Sequence, residues 1–391
     1  MIKPAYRWAD QQINDLKKSG LYRHLRTSES GPASTVEIEG KEMLMVSSNN
    51  YLGLAADQRL IMEASKVMQQ FGVGSTGSRL TTGNSTWHEK LEKRIAAFKK
   101  EEAAIVFSSG YLANVGVISA LAQDGDIILS DELNHASLID GCRLSKAKTM
   151  VYRHVDMNDL KKKLQLARNN QNKFIVTDSV FSMDGNLAPL PEIKELADEY
   201  NAFIIVDDAH ATGVLGENGR GSTEHFHVDV DITIGTLSKT IGTEGGFAAG
   251  SFPIIELLRN KARSFIFQTA LPPGMVAAAI KSIDIIEQEK SLLYSLRTNI
   301  KKLQKQLAEI GFVTMPTPTP IIPVLIGEAQ KTVAFSKQLE REGVFAPAIR
   351  PPTVPEGKSR IRLTVMASHT DNDIQQVCQA FYTTGKNMGV I

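Results

Sequence analysis

Residues 203–209 read FIIVDDA, four apolar residues ending in two aspartates. The run does not alternate with polar residues, so it predicts a strand covered on both faces, as in a parallel sheet between helices. Upstream, KFIVTDSVF (173–181) is built the same way, and the helix-like LPEIKELADEY (190–200) lies between the two. Downstream comes ITIGTLS (232–238); further upstream, AAIVF (103–107) precedes YLANVGVISALA (111–122), and IILS (127–130) precedes SLIDGCRLS (137–145). Strands alternating with helices imply βαβ crossovers, so the fold class is α/β with a mostly parallel, helix-covered sheet.

The C-terminal third departs from this rhythm. A long helical stretch around 275–310 is broken by the three prolines of MPTPTP (315–320). IIPVLIG, a helix near 330–342, GVFAPAI, RIRLTV and a last helix from Asp371 follow, predicting a smaller α+β domain. The expected organisation is an N-terminal segment at 1–45, a large domain at 46–275 and a small domain at 276–391. The N-terminal segment holds a helix (7–19) and a strand pair around Gly40, with nothing to say which domain carries it.

Composition removes several classes of function. With 44 Lys plus Arg against 43 Asp plus Glu, the net charge of +1 argues against a nucleic-acid or membrane-surface binder. Cys142 and Cys378, the two cysteines of 391 residues, cannot build a metal cluster or a disulfide scaffold. No apolar run approaches the ~20 residues of a membrane span. The start, MIKPAYRWADQQINDLKK, lacks a signal-peptide core, so a cytoplasmic setting is expected.

Four short motifs carry chemistry. GVGSTG (72–77) matches the dinucleotide fingerprint, but it follows LIMEASKVMQQF, whose Leu60, Ala64, Val67 and Phe71 fall at helical spacing. The fingerprint needs a strand before it, so a loop closing a helix is the better reading. FSSGYLAN (107–114) has the right context for an anion cradle, with a strand, small residues and a helix start whose amides are free. Asp207 stands at the carboxyl end of a parallel strand, where ligands of such sheets bind. Lys239, in TLSKT and 32 residues after Asp207, ends the next strand-like run. Each alone has a plainer reading: a βα turn, a capping aspartate, a solvated lysine. Together they supply what pyridoxal 5′-phosphate needs: a lysine for its aldehyde, a carboxylate for its ring nitrogen and a phosphate cradle.

The sequence resembles the fold-type I pyridoxal-phosphate enzymes, and among them the α-oxoamine synthases, along nearly the whole chain. The resemblance rests on SSNNYLGL (47–54), GVGSTGSR (72–79), FSSGYLAN (107–114), DELNHASLIDG (131–141) and DSVFSMDG (178–185). VDDAHATGVLGENGRG (206–221), TLSKTIG (236–242) and IRPPTVPEGKSRIRLT (349–364) complete it. Thr240 departs from the pattern, which usually has a smaller residue after the lysine.

The resemblance implies a decarboxylating acyltransferase of biotin assembly. L-Alanine would condense with a pimeloyl thioester, of coenzyme A or acyl carrier protein, releasing the carrier and carbon dioxide. Glycine with acetyl-CoA is the alternative pairing. Lys239 would form the Schiff base and move the Cα proton, Asp207 would hold the pyridinium nitrogen, and His135 would stack on the ring and face the substrate. Ser182 and His210 would meet the phenolic oxygen; Ser109, Gly110, Tyr111 and Thr236 the phosphate. Thr269 would reach the cofactor of a neighbouring subunit, implying a homodimer with shared sites. Arg362 with Asn49 would take the amino-acid carboxylate, and Arg23, Arg350 and Thr353 the acyl and coenzyme side. Neither metal, nucleic acid nor membrane enters this picture.

Overall fold

The computed structural model describes residues 3–19 and 21–391. The chain opens with α1 (Pro4–Lys18), β1 (Thr35–Ile38) and β2 (Lys41–Met45), then α2 (Gln58–Phe71) and α3 (Thr86–Lys99). The helix expected at 7–19 thus starts earlier, on Pro4, whose fixed φ suits a first turn.

The large sheet is built by β3 (Ala103–Phe107), α4 (Gly110–Leu121), β4 (Ile127–Asp131), α5 (Ala136–Leu144), β5 (Lys148–Tyr152) and α6 (Met157–Leu166). It continues through β6 (Lys173–Asp178), α7 (Leu190–Tyr200), β7 (Phe203–Asp207), α8 (Ser222–Phe226), β8 (Ile232–Thr236) and β9 (Gly246–Gly250). Helices α9 (Phe252–Lys261), α10 (Arg263–Ile266), α11 (Pro273–Gln288) and α12 (Lys290–Glu309) lead to the C-terminal part. There β10 (Ile321–Gly327), α13 (Ala329–Arg341), β11 (Val344–Phe345), β12 (Ala348–Ile349), β13 (Ser359–Thr364) and α14 (Asp371–Asn387) close the chain.

The seven strands run in the order β3-β9-β8-β7-β6-β4-β5, and all pairings are parallel except those of β9. The expected mostly parallel sheet is therefore present. Two of its strands, KTMVY (148–152) and GFAAG (246–250), went unrecognised in the sequence. The first is largely exposed at an edge; the second is made of glycine and alanine around one Phe, with no β-branched residue to mark it. β7 shows why its sequence is continuously apolar: Ile205 belongs to one core cluster with Val117, Ile118 and Leu258, while Ile204 and Val206 belong to another with Leu160, Leu164 and Ile193.

β13 pairs antiparallel with β10 and β12. The N-terminal hairpin joins this half of the molecule, because β2 pairs with β11, Leu44 opposite Val344. The division expected between residues 275 and 276 cuts through α11, a continuous helix packed on α2 and α3. Glu289 is the residue between α11 and α12. Among the described residues no helix is long and apolar enough to cross a membrane.

Candidate active site

The parallel strands β6, β7 and β8 end side by side, and their last residues carry chemistry. Asp178 is register partner of Asp207, Asp207 pairs with Ile234, and Lys239 follows three residues after the end of β8. The crossovers thus gather an acid, a second acid and an amine from three crossing points within one sheet edge, where α/β folds bind ligands.

Asp207 is 5 % exposed and has no cationic partner among the described residues. Its Oδ1 accepts from the amide of Ala209 at 2.8 Å, and its Oδ2 from Asn114 Nδ2 at 2.6 Å. A buried carboxylate without a cation is costly, so the arrangement favours a bound positive group. Asn114 also donates to Ser137 Oγ at 2.8 Å, and Ser137 Oγ meets His135 Nδ1 at 2.7 Å. Because His135 Nδ1 also accepts from the Ser137 amide at 3.2 Å, the assignment satisfying every atom puts the ring proton on Nε2. Burial lowers the pKa of His135, with Asp207 pulling it up and Lys239 down, so the imidazole faces both groups.

Lys239 Nζ lies 2.8 Å from His210 Nε2. Burial lowers the amine to about 8, Arg362 adding to the drop while Asp207 and Asp178 oppose it. His210 is buried and held well below the ordinary imidazole range, first by burial and then by the positive charges of Lys239 and Arg362. Its Nδ1 lies 2.7 Å from the hydroxyl of Tyr51, which donates to Asn49 Oδ1 at 3.0 Å; Asn49 Oδ1 also accepts from Arg362 Nη2 at 3.2 Å. One chain of hydrogen bonds therefore runs from Lys239 to Arg362. Tyr51 was not anticipated as part of it, and its burial raises its hydroxyl to about 12, so it stays protonated.

Arg362 and Arg360 both lie on β13, two residues apart, yet they differ. Arg360 is paired with Asp184. Arg362 donates from Nε to the carbonyl of Ser182 and has no carboxylate partner among the described residues. Of the two, Arg362 has a guanidinium edge to offer an incoming carboxylate.

The turn expected to cradle an anion joins β3 to α4. Ser109 caps α4, accepting from Leu112 N at 3.1 Å, so the first amides of α4 (Gly110, Tyr111) lack helix partners. Thr236 Oγ1 sits beside Ser238 Oγ at 2.8 Å, and a Cβ built on Gly110 would come within 3.1 Å of Thr236 Cβ. β9 enforces the closeness: a Cβ on Gly246 would lie 2.4–2.5 Å from the backbone of Ser109 and Gly110. Ser238 is a further hydroxyl here that sequence reasoning passed over. A buried free carboxylate, a depressed amine and a cradle of amides and hydroxyls at one sheet edge fit pyridoxal phosphate group by group.

The remaining expected residues are spread wider. Arg23, Arg350 and Thr353 line one cleft of about 540 Å³, with Leu16, Tyr22 and Ile349. Ser182 contributes its carbonyl to Arg362, and its hydroxyl makes no hydrogen bond among the described residues. Thr269 is exposed and bridges to Ser78 in the loop after α2. GVGSTG does follow a helix: Gly72, at φ +80°, terminates α2. Thr240 is accommodated because Gly213 faces it; a Cβ there would lie 2.3 Å from the Thr240 methyl.

A family model described as aminotransferase class I and II matches residues 41–381. The chain is 55 % identical over 384 residues to 8-amino-7-oxononanoate synthase 2 of Bacillus subtilis strain 168, covering 98 % of this chain and 99 % of that protein. Among solved structures, a serine palmitoyltransferase from S. paucimobilis carrying a PLP–myriocin aldimine superposes with a TM-score of 0.93 at 32 % identity, over 99 % of each chain. An 8-amino-7-oxononanoate synthase from Francisella tularensis gives 0.77 at 26 % identity, over 89 % of this chain and 99 % of that one.

Proposed function

Because the chain belongs to the class I and II aminotransferase family, we propose that its site condenses L-alanine with a pimeloyl thioester to give 8-amino-7-oxononanoate, carbon dioxide and the free thiol carrier. The fold is that of a fold-type I pyridoxal-phosphate transferase, and pyridoxal 5′-phosphate is the cofactor. When bound, it supplies an aldehyde for covalent attachment and a protonated ring that spreads negative charge from the substrate Cα. The observation carrying the reading is the pairing of a cation-free buried Asp207 with a depressed Lys239 at adjacent strand ends.

The chain's own groups then take defined tasks. Asp207, held by Asn114 and the Ala209 amide, keeps a proton on the ring nitrogen. His210 and Ser182 serve the phenolic oxygen, His135 covers the ring face, and Ser109, Gly110, Tyr111 and Thr236 hold the phosphate. Arg362 and Asn49 bind the carboxylate of alanine in a fixed orientation. With its pKa near 8, Lys239 is in part an unprotonated amine at neutral pH and takes the proton from Cα. Arg23, Arg350 and Thr353 line the approach of the thioester.

A homodimer is part of the proposal. Thr269 lies on an exposed stretch beside Phe267 (69 % exposed), and its bridge partner Ser78 lies among Val73 (81 %) and Leu80 (55 %). Such an apolar surface needs a cover, and a second copy would bring Thr269 to the neighbouring cradle. The proposed setting is the cytoplasm.

Competition decides the substrates. Purified protein with cofactor is given L-alanine and glycine together, and pimeloyl-CoA and acetyl-CoA together, with products read by mass. The 8-amino-7-oxononanoate mass should dominate. Dominance of the glycine–acetyl product would replace this reading with 2-amino-3-oxobutyrate formation, because a methyl-sized pocket difference is worth only ~1–3 kcal/mol.

A further inference from the structure

A second cleft, of about 910 Å³, opens between the glycine-rich turn at 213–221, α8 and α12, and none of the active-site residues lines it. Its polar lining includes three cations, Arg220, Arg297 and Lys301, against two glutamates. Arg297 and Lys301, one turn apart on α12, line it together with Arg220 and the imidazoles of His225 and His227. Leu215, Ile300 and Pro318 supply apolar wall.

The local acids do not cancel this charge. Glu224 is committed to its own loop, accepting from the amides of Asn218 and Arg220, each at 3.0 Å, and from Asn218 Nδ2 at 2.6 Å. Arg220 Nη1 pairs with it at 3.4 Å, while Arg220 Nε is buried without a hydrogen-bond partner, so Arg297 and Lys301 are the cations the acids leave unpaired. Glu217 is the other acid in the lining, and it is exposed. Arg297 donates to the carbonyl of Gly216 and pairs with no carboxylate among the described residues; Lys301 makes neither a hydrogen bond nor an ion pair among them. Burial, with the charges of Arg297 and His227, lowers the pKa of His225, so this ring is a neutral donor.

We propose that this cleft is a second ligand site, for a small organic phosphate. Five donor side chains line this one cleft, more than the two oxygens of a carboxylate can use. A phosphate monoester presents three oxygens and close to two charges. The apolar wall suits the ester's organic part. The ligand would bind to the large domain through Arg220 and to α12 through Arg297 and Lys301, bridging the two halves of the chain. The turn it rests on begins just after His210, and its Gly213 packs against Thr240, the neighbour of Lys239.

Calorimetric titration of the cofactor-loaded protein at constant ionic strength tests the site, since the cofactor's own cradle is then filled. Phenyl phosphate, inorganic phosphate and succinate are the probes. Phenyl phosphate should bind saturably, inorganic phosphate more weakly, and succinate least. Lys301→Gln, on an exposed position, should weaken phenyl phosphate by about tenfold, the usual worth of one charged hydrogen bond. Its turnover without added phosphate should match the parent. Arg297→Gln should weaken binding likewise, with thermal unfolding as a check on folding. Tighter inorganic phosphate than phenyl phosphate would restrict the site to the free ion and overturn the organic ligand. Absence of saturable binding, equal affinity in Lys301→Gln, or succinate matching the phosphates would overturn the site.

Discussion

Lys239 Nζ and His210 Nε2 stand 2.8 Å apart, and the contact fixes the protonation of both groups. Tyr51 has one proton, given to Asn49 Oδ1, so His210 Nδ1 must donate to Tyr51 and His210 Nε2 must accept from the lysine. A neutral imidazole is thus the polar partner of the amine, in keeping with the strong downward shift of His210.

Lys239→Ala removes, in one change, the amine proposed as covalent anchor and proton-transfer group. General acid–base catalysis alone is worth about 10²–10⁴-fold, so alanine-dependent release of coenzyme A should fall by more than that range. The variant should still fold, because the amine's hydrogen-bond partner is the imidazole of His210 and no ion pair is broken by its loss. Thiol release near the parental rate, with a normal far-ultraviolet spectrum, would remove Lys239 from the mechanism.

The pH dependence of cofactor capture follows from the same amine. Lys239 reacts only when unprotonated, and its pKa is about 8 instead of the ordinary 10.5. Covalent uptake of pyridoxal phosphate by cofactor-free protein should therefore rise about tenfold per pH unit below 8 and level off above it. The unfolded chain binds the extra proton between pH 8 and 10.5, so this group makes the cofactor-free protein more stable as pH rises through that window. Stopped-flow absorbance across pH 6–10 reads the first effect; a rise continuing unchanged to pH 10 would contradict the depressed amine.

Beneath the site, Lys99 and Asp208 form an ion pair at 2.8 Å with side chains 1 % and 0 % exposed. Lys99 also donates to Thr212 Oγ1 at 3.0 Å and to the carbonyl of Arg220, while Asp208 accepts from the amide and hydroxyl of Ser222. Lys99→Ala leaves that carboxylate buried and unpaired, which costs about 3–5 kcal/mol. Denaturant unfolding should show a loss of this size. The double change Lys99→Met with Asp208→Leu should cost less than Lys99→Ala, since no lone charge remains.

Much of this architecture was legible in the chain. FIIVDDA announced a doubly covered strand and placed Asp207 at its end, and TLSKT did the same for Lys239. The reading was weaker where a residue's meaning depends on a distant partner. Nothing in SSNNYLGL says that the Tyr51 hydroxyl will meet His210, 159 residues away. Asn114 and Ser137 look like ordinary helix residues until α4 and α5 pack side by side at the sheet edge. β9 escaped because glycine and alanine carry little strand signal, yet they are required where the cradle backbone approaches it.

The Asn114–Asp207 hydrogen bond, at 2.6 Å, gives the last prediction. Asn114 is 1 % exposed and joins Asp207 to Ser137 and, through it, to His135, so it orients the two groups proposed to flank the cofactor ring. Asn114→Leu keeps the branched shape but withdraws both donors, leaving Asp207 with the Ala209 amide as its described hydrogen-bond donor. A hydrogen bond to a charged group is worth about 1.5–3 kcal/mol, so turnover should fall roughly 10- to 100-fold. Asp207→Asn should fall further, because a neutral amide cannot hold the ring nitrogen protonated; its cofactor should still be retained through the phosphate cradle. The two variants separate orientation from charge: Asn114→Leu should keep the parental absorbance band of the bound cofactor across pH 6–9, whereas Asp207→Asn should shift it. Parental turnover in Asn114→Leu would show that Asp207 needs no side-chain support, and an unshifted band in Asp207→Asn would remove its carboxylate from the ring nitrogen.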